Sequence, residues 1–305
     1  MRIPELNEVQ SFLLERFANA ADVTMLKRGG WSSAFGFRVH DRPLVIRFGQ
    51  HREDYEKDRI AADWATTNLP IPAMIEMGSA FDGAYAISVR HYGDPLDAIP
   101  TERMPAVIEA LFNLLEQVRD IELAGTGYGI WLAPSCDAPY SSWPEYLLSM
   151  MDRDEQRLTN WRQRLNDHRQ ARAVFDRGCA ILVRLVDACP NDRKLVHNDV
   201  LNNVLIDERN NISALFDWGN SLAGDPLYDI AWLCLGAPWY PSIDAAHVLA
   251  VARERFPSEP DLAARMHCYE LHLRLGSLQY LAYAGLGNEL NDSVRWTAAL
   301  MERLG

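Results

Sequence analysis

The chain has 305 residues, of which 48% are hydrophobic and 24% charged, enough apolar material for a sizeable core and too much for a disordered chain. A formal charge of −12 argues against nucleic acid as a partner, which needs a basic stripe; it would suit a cationic small molecule, or serve solubility alone. The cysteines (Cys136, Cys179, Cys189, Cys234, Cys268) show neither metal-knuckle spacing nor a disulfide framework, so a reducing, cytoplasmic setting is expected.

Residues 4–19 place Val9, Phe12, Leu13 and Phe17 at helical spacing, which predicts an amphipathic helix. Charges mixed into Met1–Leu13 make a secretory leader unexpected, and no later run reaches the roughly 20 apolar residues of a membrane span. Strands are predicted at Phe35–Val39 and Leu44–Phe48, joined by the turn-forming His40–Pro43. Ahead of them, Arg28-Gly29-Gly30-Trp31-Ser32-Ser33 is small and polar, as a tight loop between strands should be. The spacing next predicts a helix over 54–68, ended by Leu69-Pro70-Ile71-Pro72, where two prolines force an extended passage. Two further strands are predicted around Pro72–Met77 and Ala84–Val89, ending at Gly93.

Beyond Gly93 helices dominate. Thr101 reads as the N-cap of a long helix to about Ile121, with Val107, Leu111, Leu114, Leu115 and Val118 on its apolar side. More helices are predicted at 143–152, 170–188, 226–236, 242–255, 259–285 and 289–303. One interruption, at Lys194–His197, Val204–Ile206 and Ala214–Asp217, reads as short β segments around a polar loop. The expected fold is therefore α+β, with a small β-rich lobe over 1–93 and a larger, mostly helical lobe over 94–305.

The polar loop carries the chemistry. It reads Leu195-Val196-His197-Asn198-Asp199-Val200-Leu201-Asn202-Asn203-Val204-Leu205-Ile206, followed by Leu215-Phe216-Asp217-Trp218-Gly219. Phosphoryl transfer needs a carboxylate near the acceptor hydroxyl and hard oxygen ligands for a Mg²⁺ ion bridging the phosphates. Asp199 fits the first role, and Asn203 with Asp217 the second. Each of these residues alone is an ordinary turn or cap residue. Their joint order, between apolar runs, points to a site.

These residues resemble the aminoglycoside phosphotransferase family, which shares the bilobal protein-kinase-like fold. The likeness rests on His197-Asn198-Asp199, Asn203-Val204-Leu205 and Phe216-Asp217-Trp218, and continues through Gly224-Asp225-Pro226-Leu227-Tyr228-Asp229-Ile230-Ala231-Trp232. Lys57-Asp58-Arg59, Ala86-Ile87-Ser88-Val89-Arg90, Leu273-Arg274-Leu275-Gly276 and Gln279-Tyr280 are similar to the branch that phosphorylates the aminocyclitol hygromycin B. One feature departs from the family. Four residues normally separate the catalytic Asp from the metal-binding Asn, and here only Val200, Leu201 and Asn202 intervene. Asn203 is anchored by the strand that follows it, and Asn202 stays open as the alternative ligand.

The resemblance implies ATP or GTP as donor, with Mg²⁺. Gly29, Gly30, Ser32 and Ser33 are the expected phosphate loop, and Arg47 the strand cation, where most of the wider family has Lys. Asp58 is its expected helix partner, with Glu56 as the alternative. Ser88, Val89 and Arg90 stand at the expected hinge that meets the nucleotide base through the backbone. His197, Asp225 and Asp229 read as packing and bracing residues. Trp239, Tyr240, Glu270 and Arg274 are candidates to line the acceptor pocket. The expected activity is O-phosphorylation of a cationic aminocyclitol antibiotic by a monomer, or by a homodimer. A kinase of a choline-, homoserine- or sugar-like metabolite and a nucleotide-binding pseudokinase are the alternatives.

Overall fold

A computed structural model describes residues 4–152 and 157–304. In chain order its first elements are α1 (Leu6–Arg16), β1 (Ala20–Arg28), β2 (Ser32–Val39), β3 (Arg42–Gly49), α2 (Arg52–Ala62), β4 (Met74–Ala80), β5 (Gly83–Val89), β6 (Asp94–Pro95) and α3 (Met104–Arg119). There follow β7 (Gly129–Ile130), α4 (Trp143–Ser149), α5 (Trp161–Asn166), α6 (Arg169–Leu185), β8 (Lys194–Val196), β9 (Val204–Ile206), β10 (Ile212–Leu215) and β11 (Leu222–Gly224). The chain closes with α7 (Leu227–Gly236), α8 (Ala245–Arg255), α9 (Leu262–Ala284) and α10 (Gly287–Leu304). Two compact units result: residues 1–124, 132–136 and 199–221 form one, and residues 125–131, 137–198 and 222–305 the other.

The first unit is built on an antiparallel five-stranded sheet in the order β1-β2-β3-β5-β4. Strand alternation sorts its side chains. Leu44, Ile46 and Phe48 of β3 join Phe35, Phe37, Tyr85 and Ile87 on one face, where Val9 and Leu13 of α1 cover them. Arg47 points the other way, opposite Ala34 on β2 and Ala86 on β5. On that face Tyr55 of α2 packs against Ala84 and Ala86. A second sheet, β10-β9-β6, completes the unit, and Arg103, just before α3, ties down the β9–β10 turn through the Asp207 carbonyl (2.6 Å) and Asn210 Oδ1 (2.7 Å).

The second unit holds α4–α10 and a small sheet in the order β7-β11-β8. Helix α9 is buried along most of its length and carries a buried cation, Arg265, 1% exposed, that forks onto Asp225 (2.9 and 2.8 Å). Asp225 also accepts the Leu227 N–H (3.0 Å) at the start of α7, so one ion pair fastens two helices.

Four expectations need correction. Strand β1 was not anticipated over its own residues; it lies at the sheet edge and is largely exposed, so it shows no apolar alternation. Helix α2 stops at Ala62 rather than 68, because the position before Pro70 disfavours helix and the chain instead turns at Thr66, whose hydroxyl accepts the Leu69 N–H (3.0 Å). Thr101 is not the N-cap of α3; residues 101–103 form a turn and the helix starts at Met104, with Pro105 in the first turn where a missing N–H costs nothing. Helix α5 was also missed. Its six residues are too short to show a period.

Candidate active site

Strands β9 and β10 form an antiparallel hairpin with Leu215 opposite Val204. The next rung is completed by the Phe216 N–H donating to the Asn203 carbonyl (3.0 Å), so Asn203 and Asp217 leave neighbouring strands at one end. Asp217 adopts φ 66°, a left-handed conformation that Asp tolerates better than most residues, and this turns the chain into the Trp218–Asn220 3-10 turn. The shortened loop is accommodated by another 3-10 turn. Val200–Asn202 form it, with Val200 and Leu201 buried beneath.

That turn brings Asn203 back onto Asp199. The Asn203 side-chain N–H donates to the Asp199 carbonyl oxygen (2.8 Å), which leaves Asn203 Oδ1 as the free acceptor of that amide. Asn203 is buried, whereas Asn202 is exposed at the end of the turn with its carbonyl 3.5 Å from Lys27 Nζ. Burial, and after it the charge of Asp217, push the Asp199 carboxyl up to about 7, against the hydrogen bonds from Asn202 and Asn203 and the charge of Lys27. Burial likewise raises Asp217 to about 6, with Asp58 and Asp54 adding to the rise and Arg47 opposing it. The site thus concentrates negative charge that a cation would relieve. With one carboxylate and one amide oxygen at the end of the hairpin, it offers the hard donor set that suits Mg²⁺.

Arg47 pairs with Asp58, as expected, and not with Glu56, which pairs with Arg52 (3.0 Å). Burial works against the Arg47 charge, but Asp58 and Asp217 outweigh it and raise its pKa. Asp58 uses its other oxygen to accept the Trp218 N–H (2.7 Å). One carboxylate therefore joins the strand cation to the turn that carries Asp217.

The glycine loop closes as a tight turn, with the Gly29 N–H donating to the Ser32 carbonyl (2.8 Å). Ser32 lies opposite Gly49, on the Arg47 face. Ser33 does not share that face. It alternates with Phe35 and Phe37 toward the α1 side and its hydroxyl is buried there, so only its backbone remains for a ligand. At the expected hinge, Ser88 shares the Arg47 face, opposite Val45. The Val89 N–H is donated to Ala73 (3.0 Å) and the Arg90 N–H to Pro43 (3.1 Å), so these two residues keep carbonyls, not N–H groups, for a base. The Arg90 guanidinium lies over Tyr92 (4.8 Å) and across Gly36, where an added Cβ would meet it at 2.7 Å.

In the second unit, Asp229 accepts the His197 N–H (2.8 Å) and the Asn198 N–H (2.7 Å), anchoring the chain just before Asp199. Asn198, in a left-handed conformation (φ 63°), accepts from Trp232 Nε1 (3.0 Å). The Asp229 contacts match the bracing role read from the sequence. Of the acceptor-side candidates, Trp239 is 40% exposed and meets Trp296 edge-to-face (4.9 Å). Glu270 and Arg274 lie one turn apart on α9; burial raises the Glu270 carboxyl, opposed by Arg274, and lowers the pKa of Arg274.

Residues 26–266 match the phosphotransferase enzyme family, most of the chain and every residue of the hairpin site. The chain belongs to that family. Among its relatives, this phosphotransferase is similar to hygromycin-B 4-O-kinase from Escherichia coli, 27% identical over 303 residues that cover 97% of this chain and 84% of the relative. Its fold superposes on a thermostable mutant of aminoglycoside phosphotransferase APH(4)-Ia in ternary complex with AMP-PNP and hygromycin B, with a TM-score of 0.84, 26% identity, and 96% and 98% of the two chains covered. APH(2")-IIa, solved with gentamicin, shares the fold at 15% identity and a TM-score of 0.66, covering 98% of this chain and 97% of its own. The phosphotransferase has the kinase-like α+β fold, a β sheet in its N-terminal region and helices in its C-terminal region. Among the described residues, no helix is long and apolar enough to cross a membrane.

Three side chains at the site were assigned no role by the sequence, although Lys57 lies in the Lys57-Asp58-Arg59 run that carries part of the resemblance. Lys27 sits on the edge strand β1, and its charge acts on both Asp199 and Asp217. Asp54 and Lys57 are part of a helix so rich in charge that it reads as a solvated face. The i, i+3, i+4 spacing of Asp54, Lys57 and Asp58 puts them on one helix face, and it says nothing about what the face meets.

Proposed function

We propose that this phosphotransferase moves the γ-phosphoryl of ATP onto a hydroxyl of a cationic aminocyclitol of the hygromycin B class. Similarity along 97% of the chain to a hygromycin-B 4-O-kinase is the observation that carries the acceptor class. The net charge of −12 favours such a polycation. Residues 1–93 would form the nucleotide-binding lobe, with Gly29, Gly30 and Ser32 over the phosphates, Arg47 on their oxygens, and the carbonyls near Ser88–Arg90 at the base.

Asp199 takes the base role. A carboxyl raised to about 7 is ionised in part at neutral pH, yet basic enough to accept the proton of an acceptor hydroxyl. As that oxygen bonds to the γ-phosphorus, the bond from phosphorus to the β–γ bridging oxygen breaks, the nucleoside diphosphate leaves, and Asp199 holds the proton. Asn203 Oδ1 and Asp217 would hold Mg²⁺, which when bound neutralises the phosphate oxygens. Arg47, kept in place by Asp58, orients the triphosphate.

The test is transfer of labelled phosphate from ATP to a panel of aminocyclitols, choline, homoserine and simple sugars, beside growth of a sensitive bacterial host on the same antibiotics. Transfer to hygromycin B, with resistance that Asp199→Asn abolishes, is the expected result. Transfer only to a metabolite would overturn the acceptor class, and nucleotide binding with no transfer to any acceptor would overturn the activity.

A further inference from the structure

One side of α2 faces the Asp217 turn with three charged residues in successive contact. Asp58 accepts the Trp218 N–H (2.7 Å). Asp54 lies against Gly219 so closely that a Cβ there would stand 2.7 Å from its carboxyl carbon, which leaves glycine as the residue that fits. Lys57, only 2% exposed, donates to the Gly219 carbonyl (3.0 Å) and the Ser221 carbonyl (2.6 Å). Trp64, beyond the C-terminus of α2, continues the contact edge-to-face on Trp218 (5.7 Å).

Burying an ammonium is costly unless donors and charge are matched. Two backbone carbonyls are a strong but plain use for a cation, and hydrophobic residues would join helix to turn at less desolvation cost. What a lysine adds is geometry. Its two bonds fix one carbonyl within the 3-10 turn (Gly219) and the one just after it (Ser221), while Asp58 fixes the N–H at the start of the same turn. The turn is thereby held at three backbone atoms, immediately after the left-handed residue that presents the metal carboxylate.

We propose that Lys57 is a positioning residue for phosphoryl transfer: its clamp on the Gly219 and Ser221 carbonyls holds the turn from which Asp217 is presented, in concert with the Arg47–Asp58 pair. The proposal rests on the reading of Asp217 as a metal carboxylate. Lys57 itself touches neither phosphate nor acceptor in this scheme. Its loss acts through Asp217 and leaves Asp199 and the acceptor-binding residues as they were.

The experiment compares the parent with Lys57→Met, which keeps chain length and removes the donors, and Lys57→Arg, which restores them. Binding of AMP-PNP is followed calorimetrically across a Mg²⁺ titration, and amide hydrogen exchange is followed in the peptide spanning residues 216–222. Steady-state turnover is measured with the best acceptor of the panel. For Lys57→Met, the Mg²⁺ concentration for half-maximal nucleotide binding should rise about tenfold or more and kcat should fall by about the same factor, the loss of a charge-assisted hydrogen bond. The acceptor KM should stay within about threefold, as expected when an interaction specific to the reacting centre is lost. Exchange should quicken in 216–222 and not in β3 or β5, and Lys57→Arg should recover part of the Mg²⁺ response. Should Lys57→Met not fold, Lys57→Gln, which keeps an uncharged amide NH₂ as donor, takes its place with intermediate effects expected. A folded Met or Gln variant with the parent's Mg²⁺ response and turnover, or one altered only in melting temperature, would overturn the proposal. The binding and exchange arms need no acceptor, so they remain decisive even if no aminocyclitol is phosphorylated.

Discussion

At the scale of single residues, the site works by holding charge where water cannot screen it. Asp199 is pushed to about 7 by burial first and Asp217 second, well above the ordinary carboxylate value of about 4. A base must be ionised to act, so turnover should fall as pH falls through about 7, and a pH profile of kcat/KM reads this directly. Lys27 opposes the rise, so Lys27→Ala should move the acid limb to higher pH. An acid limb lying below about pH 5 in the parent would show that Asp199 is not the titrating base. Asp199→Asn should abolish transfer while nucleotide affinity stays within about threefold, because in the proposed mechanism this carboxylate serves the acceptor and not the triphosphate.

At the scale of elements, two short connections decide the geometry. The Val200–Asn202 3-10 turn takes up the missing residue of the loop, buries Val200 and Leu201, and returns Asn203 to Asp199. Asn203 is committed by its amide N–H and offers Oδ1, whereas Asn202 is exposed. Asn203→Ala should therefore cripple turnover and weaken its Mg²⁺ dependence, and Asn202→Ala should cost about tenfold or less through its hydrogen bond to Asp199. A Mg²⁺ titration of both variants decides the matter, and the reverse ranking would move the ligand to Asn202. The second connection is the pair that joins the start of α7 to α9. Arg265→Met would leave Asp225, 0% exposed, buried without its cation, so unfolding in urea should show a loss of about 3–5 kcal/mol. A loss below about 1 kcal/mol would mean that Tyr269 and the Leu227 N–H suffice to hold that carboxylate.

Across the whole molecule, the proposed function asks a chain of net charge −12 to attract a polycation while admitting a polyanionic nucleotide. In that reading local cations would meet the second demand: Arg47, paired with Asp58, and Lys27, which extends from the edge strand toward the loop. The long-range field would then serve the acceptor, and such fields are screened over about 10 Å at 0.1 M salt. Raising the ionic strength should therefore lower kcat/KM for the aminocyclitol more than for ATP, with most of the change in the acceptor KM. Equal salt sensitivity for both substrates would assign the charge to solubility alone.

Much of this was already legible in the chain. The order of Asp199, Asn203 and Asp217 between apolar runs follows from local spacing, because loop ligands must leave strands at fixed positions and apolar periodicity marks those strands. The expected roles of Gly29-Gly30 and Arg47 came from the family resemblance. The long helices are legible from apolar periodicity too. Other features depended on contacts between segments far apart in sequence. Nothing in the run from Arg52 to Ala62 distinguishes a solvated helix face from one buried on residues 217–221, since a charge pattern records a helix but not its partner. Likewise, Ser33 belongs to the polar loop by composition, yet the pairing of β2 with β3 turns it to the core side. The edge strand β1 had no pattern to read because one flank faces water. Local periodicity and motif order thus marked the candidate site residues, and tertiary packing alone decided which side chains hold them in place, because a bond spanning some 160 residues leaves no trace in local sequence.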